Sequence, residues 1–384
     1  MTDLGHGGRD GRDRSGTRVL VAPDKFKGSL TALQVAERVT AGLRRARPGL
    51  RVTALPVADG GDGTVAAALA AGFTGRTARV TGPLGEPVTA RWALRGDTAV
   101  VELAEASGLR LLPPGVLAPL TATSRGTGEL LRRALDAGAR KIVFGVGGSA
   151  TTDGGAGVLT ALGARLLNGS GAPVGPGGAG LAALASVDLR GLDPRLSTTE
   201  IVLACDVSNP LTGPTGAAAV YGPQKGADAD GVALLDAALV HWASLLGPAL
   251  AGAPGAGAAG GVGYAALAAL GARMRPGIEV LLDVLGFAAA LDGVALVVTG
   301  EGSLDRQTLH GKAPAGVAAA ARARGIEVAA VCGRLALTPG ELERLGIRRA
   351  YPLLELEPDP AHSLAGAGAL LERVAERIAA DFAL

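Results

Sequence analysis

Residues 18–45 constrain the fold more than any other stretch. RVLVA at 18–22 is a short β-branched and aliphatic run. It breaks at PDKFKGSL, after which Val35, Val39 and Leu43 recur at i, i+4 and i+8, once per helical turn. Strand, loop and amphipathic helix then repeat, with RVTALP at 51–56 as a second strand, VADGGDG as a second loop and 64–71 as a second helix. Two such units in succession imply parallel strands joined by right-handed crossovers. The rhythm returns at the other end of the chain, where 294–299, 327–331 and 349–352 read as strands, and 313–324, a segment near 339–344, and 364–382 read as helices.

The middle is patterned differently. Residues 77–103 read as three short strands separated by the turns TGPLGEP and RGD, antiparallel rather than wound. Beyond Ser124 come a helix over 129–137, a strand over 141–146, the glycine-rich GGSATTDGGAG, a helix ending at Leu162 and a strand over 201–204, while 167–199 is Gly/Pro-rich and weakly patterned. The expected architecture is therefore α/β: a doubly wound Rossmann-like domain built from residues 17–75 and 290–384, with a mixed α/β domain inserted over 76–289. A cleft between two such domains is the default ligand site.

Composition narrows the function classes. Lys+Arg 37 against Asp+Glu 35 leaves no net field to recruit nucleic acid or an anionic membrane, and 3% aromatic residues are too few for base stacking. No run of about 18 residues is apolar and free of glycine as a membrane span requires. Cys205 and Cys332 are far apart and each sits in an apolar run, so neither a disulfide framework nor a CxxC site is expected, and a reducing cytoplasm fits best. MTDLGHGGRDGRDRSG at 1–16 has no apolar core and reads as a disordered tail or an appended remnant, not a secretion signal. With 61 glycines, about one or two G-x-G-x-x-G matches arise by chance. The one at Gly255, Gly257 and Gly260 follows ALAGAP rather than a strand, and reads as a flexible loop.

In a doubly wound sheet the loops after strands gather on the carboxyl edge. Asp24, Lys25 and Lys27, then Asp59 and Asp62, then Glu301, Ser303 and Asp305 in GEGSLD would share one rim. Lys25 and Lys27 suit phosphate oxygens or a substrate carboxylate, and Gly28 and Ser29 lead toward a helix end whose amides favour an anion. Asp59-Gly60-Gly61-Asp62 supplies two carboxylates for Mg²⁺. A second rim carries Gly147, Gly148, Ser149, Thr151 and Asp153, a phosphate-cradling pattern of amides and hydroxyls in which Asp153 is equally an N-cap. Asp206 and Asn209 lie at another strand end, as base, ligand or Asx-turn before Pro210. Arg125 precedes a helix and suits a carboxylate. For each loop taken alone, a capped turn with surface charge competes with these readings. Cations, carboxylates for Mg²⁺, amide-rich loops and an Asp to orient a hydroxyl together suit phosphoryl transfer. His6, His241, His310 and His362 show no metal spacing, and His310 in LHGK reads as a solvent-facing turn residue.

APDKFKGSL, PVADGGDGT, ELAEASGL, ATSRGTGEL, GVGGSATTDGGAG, CDVSNPLTGPTGAA and TGEGSLDRQTLHGKAP stand in the order seen in type I glycerate kinases, and over about residues 18–380 the chain resembles that bacterial ATP-dependent family. The resemblance implies transfer of the ATP γ-phosphate to D-glycerate with Mg²⁺, in most members giving 2-phosphoglycerate, on a Rossmann-like domain interrupted by a second. On the residue reasoning, Lys25, Lys27 and Lys312 balance carboxylate and phosphate charge, while Asp59, Asp62, Asp206 and Asp305 share metal and base roles that sequence does not separate, Lys25, Asp206 and Asp305 being taken as catalytic and Asp59 and Asp62 as metal ligands. D-glycerate and ATP are the expected partners, without nucleic acid or membrane, and a homo-oligomer is left open. Two rivals are weighed beside this: a nicotinamide oxidoreductase, which lacks its glycine fingerprint after the first strand, and a non-catalytic sensor of hydroxy acids. A kinase of another hydroxy acid is the nearest alternative.

Overall fold

The structure, a computed structural model, describes residues 16–384 apart from the His310 side chain. The tail expected over 1–16 thus lies outside the described residues except for Gly16. The strands run β1 Arg18–Pro23, β2 Arg51–Ala54, β3 Thr74–Thr81, β4 Pro87–Arg95, β5 Thr98–Glu102, β6 Lys141–Gly145, β7 Arg165–Asn168, β8 Leu184–Asp188, β9 Glu200–Ala204, β10 Arg273–Arg275, β11 Val294–Leu304, β12 Glu327–Leu335 and β13 Arg349–Pro352. One sheet, ordered β13-β12-β11-β1-β2, is wholly parallel and comes from the two ends of the chain. The other, ordered β10-β9-β6-β5-β4-β3, is parallel from β10 to β5 and antiparallel from β5 to β3. β7 and β8 form a separate hairpin in the segment that sequence left unpatterned.

The strands of the parallel sheet read as unbroken apolar runs because both faces are covered. Val19 and Val21 pack against helices Ala32–Ala46 and Ala367–Asp381, while Leu20 and Ala22 face the opposite core. That second core is shared: Val100, Val143 and Val202 of the six-stranded sheet reach it from the far side, with helices Thr64–Ala70, Gly277–Leu285 and Ala313–Arg322 between the sheets. A third core covers the outer face of the six-stranded sheet. The layering is helix, sheet, helix, sheet, helix.

Four readings are corrected. GEGSL is strand, because β11 continues in register beside β12 to Leu304↔Leu335. The last helix is two, Pro360–Ala365 and Ala367–Asp381, parted at Gly366. The segment around Gly260 is not a flexible loop: Gly260 is buried at φ +67°, and a Cβ there would stand 2.0 Å from the Thr151 carbonyl oxygen. Helix Ala229–Leu246 is long and apolar enough to cross a membrane by length and composition, although no such run was expected. In the structure it seats Leu235, Leu239 and Trp242 in the outer core, and its Asp236 accepts a hydrogen bond from Gly213 N.

Candidate active site

Within the parallel sheet β1 lies between β2 and β11, so its two neighbours are reached by connections running in opposite directions. This is a topological switch point, and a crevice opens outside the carboxyl ends of such strands. Just past it Asp24 N donates to Gly300 O at 2.8 Å, Lys25 N donates to Asp24 Oδ1 at 2.6 Å, and Lys25 Nζ lies 3.6 Å from the same oxygen. Phe26 is buried in the core, and its carbonyl accepts from Ser29 N and Leu30 N around Gly28 at φ +86°. The tight turn leaves Lys25, Lys27 and Ser29 lining a cleft of about 950 Å³. The helix after it offers less to an anion than expected, because Thr31 and Gln34 form a capping box that occupies its first amides.

The loop after β2 crosses to the other sheet. Glu102, at the end of β5, accepts hydrogen bonds from Gly63 N at 3.2 Å and Val65 N at 3.0 Å. A Cβ on Gly147 would stand 2.4 Å from Gly61 Cα, and one on Gly277 would stand 1.9 Å from Asp59 O. Backbone therefore touches backbone where the carboxyl ends of the two sheets meet, and Asp59 and Asp62 are held between them.

Burial shapes the charges. Asp24 is 6% exposed, and loss of water, with smaller pushes from Asp59 and Glu301, raises its carboxyl to about 7 despite Lys25. Burial draws the Lys25 ammonium down, yet Asp24, Asp59, Asp62 and Glu102 together raise it above its ordinary value. Desolvation also raises Glu301, whose carboxylate accepts from Thr308 Oγ1 at 2.6 Å and pairs with Lys312 at 3.5 Å. Glu102, 1% exposed, is raised from 4.5 to about 7, mainly by burial. Because its folded value lies above its unfolded one, ionising it weakens the fold progressively as pH rises from 4.5 to about 7. In urea unfolding, wild type is expected to lose about 3 kcal/mol relative to Glu102→Gln across that window and no more above it. A pH-independent difference would contradict the assignment.

The cleft gathers Asp24, Lys25, Lys27, Ser29, Asp59, Asp62, Gly148, Glu301, Ser303 and Lys312 from the sequence candidates. A smaller pocket of about 280 Å³ adjoins it and takes in Gly147, Ser149 and Asp206. Five candidates line neither. Arg125 is exposed at the start of helix Arg125–Asp136 and pairs with Glu129 at 3.1 Å. Asp153 is buried, its carboxylate accepting from Ser124 N and Oγ, Gly155 N and Gly157 N, so it joins two helix starts. Thr151 is buried, with its hydroxyl unpartnered and its carbonyl bonded to Lys225. Asn209 accepts from Tyr221 OH and donates to Thr215 O. Asp305 closes its own turn, accepting from Gln307 N and Ser303 Oγ. A larger cavity, about 1270 Å³, is a different one on the far side of Asp206 and has mainly apolar walls from the helices that include Leu282 and Ala319.

Sequence reading passed over several wall residues. Arg110, Gln224 and Arg334 line the cleft, and Lys225 lines the small pocket. Their sequence signal was weak, since PQKG and CGR resemble ordinary turns. Asp206 fixes its place by accepting from Gly277 N at 2.7 Å. Desolvation, then the charges of Asp59 and Glu279, raise its carboxyl, and its solvent-open side limits how far.

Among the described residues no three His, Cys, Asp or Glu side chains gather as a self-sufficient metal site. The donor set does fit Mg²⁺, which keeps most of its waters and takes one or two carboxylates plus phosphates. Asp62 Oδ1 is buried without a hydrogen-bond partner, the kind of orphaned oxygen a cation would satisfy, and Asp59 lines the same cleft.

Comparison with known proteins points to one family. Residues 19–383 match the model of the Glycerate kinase family. A glycerate kinase of Bacillus subtilis (strain 168) is 46% identical over 96% of this chain and 98% of its own length. A glycerate 2-kinase of Escherichia coli (strain K12) is 44% identical over 96% and 98%. A crystal structure from Salmonella typhimurium LT2, assigned as a glycerate kinase 2, superposes with a TM-score of 0.81 at 43% identity, covering 96% of this chain and all of that one.

Proposed function

The chain belongs to the glycerate kinase family, and from that footing we propose that it transfers the γ-phosphoryl group of ATP to D-glycerate, giving 2-phosphoglycerate, in the cleft between the two large sheets. The observation that carries the reading is one cleft in which Lys25, Lys27, Lys312 and Arg334 meet Asp24, Asp59, Asp62 and Glu301. Phosphoryl transfer spreads negative charge over the equatorial oxygens, so positioned cations supply most of the catalysis. Lys25 is the leading cation, since the carboxylates around it raise its ammonium above its ordinary value despite burial. Asp206 accepts the proton of the attacking hydroxyl, a task suited to a carboxyl raised toward neutrality. Asp59 and Asp62 would hold Mg²⁺, which supplies charge neutralisation for the phosphates when bound. Ser29, Gly148 and Ser303 offer hydrogen bonds along the same walls. The two sheets with their helices are read as the two domains, and the cytoplasm as the compartment, in keeping with two free, buried cysteines.

The name of the Escherichia coli relative supports position 2 as the acceptor. Proton-coupled ³¹P NMR of the product from D-glycerate and MgATP tests it: a doublet is expected, from the single proton on carbon 2. A triplet would move the phosphate to carbon 3, and the absence of a new phosphate ester would remove glycerate as the acceptor.

A further inference from the structure

We propose that the small pocket beside the cleft seats the acceptor and that Lys225 holds its carboxylate, an inference that rests on the glycerate kinase reading and adds the subsite to it. The two hollows differ in scale. Sites for drug-sized ligands run from about 300 to 1,000 Å³, so the 950 Å³ cleft suits a nucleotide, and the 280 Å³ pocket suits a molecule of a few heavy atoms. They join along Asp59, Gly61, Leu109, Gly148 and Gln224, which line both. A small acceptor in one therefore adjoins a nucleotide in the other.

The chemistry of the pocket fits a hydroxy acid. Lys225 is the one cation among its described lining residues, and Asp59 and Asp206 are its carboxylates. Lys225 is 2% exposed, yet it hydrogen-bonds no carboxylate: Nζ donates to Ser149 Oγ at 2.9 Å and to the Thr151 carbonyl at 2.6 Å. An ammonium carries three donors, so one is left. A buried ammonium whose partners are both neutral is unfavourable until an anion joins it, and burial accordingly pulls Lys225 down to about 7, with the charge of Asp153 resisting. Asp153 cannot serve as that anion by contact, since its oxygens are engaged by Ser124, Gly155 and Gly157. A substrate carboxylate would occupy the third donor, with the hydroxyls left for Asp206 on the same wall. Lys25, Lys27 and Lys312, which line the cleft and not this pocket, then serve the phosphates.

Steady-state kinetics of wild type, Lys225→Met and Lys225→Gln test this with D-glycerate and with glyceramide, which replaces the carboxylate by a neutral amide. In both variants KM for D-glycerate is expected to rise about 10- to 150-fold, the worth of a charge-assisted hydrogen bond, with KM for ATP within about threefold. Preference for D-glycerate over glyceramide should fall by the same factor. A lysine that merely pegs the Ser149–Thr151 loop would depress both acceptors and ATP together, and that result, or an unchanged KM for D-glycerate, overturns the proposal. Should both variants fail to fold, a crystal structure of wild type with D-glycerate decides. The carboxylate is expected within hydrogen-bond distance of Lys225 Nζ, and a carboxylate on Lys25, Lys27 or Lys312 instead overturns the subsite. Failure of the family-level reading is seen separately, as no turnover of D-glycerate by the unsubstituted enzyme.

Discussion

Asp206→Asn is expected to lower kcat with D-glycerate by about 10²- to 10⁴-fold while leaving KM for ATP within about threefold. The carboxylate sits where β9 ends and is anchored by Gly277 N at 2.7 Å. Asparagine matches its size and keeps an oxygen to accept that N–H, so the anchor survives. What is lost is a proton acceptor on the wall of the small pocket. A drop confined to kcat, in protein whose urea midpoint is unchanged, identifies a group acting in the chemical step. Near wild-type kcat would take the base role away from Asp206.

Gly60→Ala should damage fold and activity together. Gly60 has φ +87°, in the left-handed region, and its Cβ would stand 2.6 Å from the Ala204 carbonyl oxygen and 3.2 Å from Ala204 Cβ. The left-handed conformation costs alanine about 1–2 kcal/mol, and crowding fixed backbone adds about 1–3 kcal/mol. Neither neighbour is the end of a flexible side chain, so the strain cannot be relieved by a rotamer change. The loop must move, carrying Asp59 and Asp62 away from the other sheet. Urea unfolding is expected to show a loss of about 2–5 kcal/mol with kcat/KM falling at least about tenfold. Full activity at wild-type stability would mean the sheet-to-sheet contact is not what positions the carboxylates.

The fold was legible where periodicity is strong. Val35, Val39 and Leu43 all lie in the core that helices Ala32–Ala46 and Ala367–Asp381 form with the parallel sheet, as their spacing requires, and the strand at 349–352 was located to the residue. Boundaries failed where tertiary pairing overrides local composition. GEGSL looks like a loop because glycine and serine favour turns, but β12 beside it extends the ladder to Leu304. Gly260 read as slack, although its missing side chain is what lets the backbone pass Thr151. The candidate site was legible in its charged rim, because Asp24, Lys25 and Lys27 stand together at a strand end and line one cleft. Asp153 and Arg125 misled for a related reason: a polar residue at a helix start looks the same whether it caps the helix or binds a ligand, and only the partners Ser124 and Glu129 distinguish the two. Lys225 was invisible because its burial depends on the fold of residues far away in sequence, Ser149 and Thr151.

The most direct test of the central claim is the initial rate of ADP release from ATP and Mg²⁺ by the full chain, measured with and without D-glycerate. The account predicts ADP formation that requires D-glycerate, saturates with it, and matches the phosphate ester formed mole for mole. ADP release that is indifferent to D-glycerate, from protein shown to be folded, would contradict it.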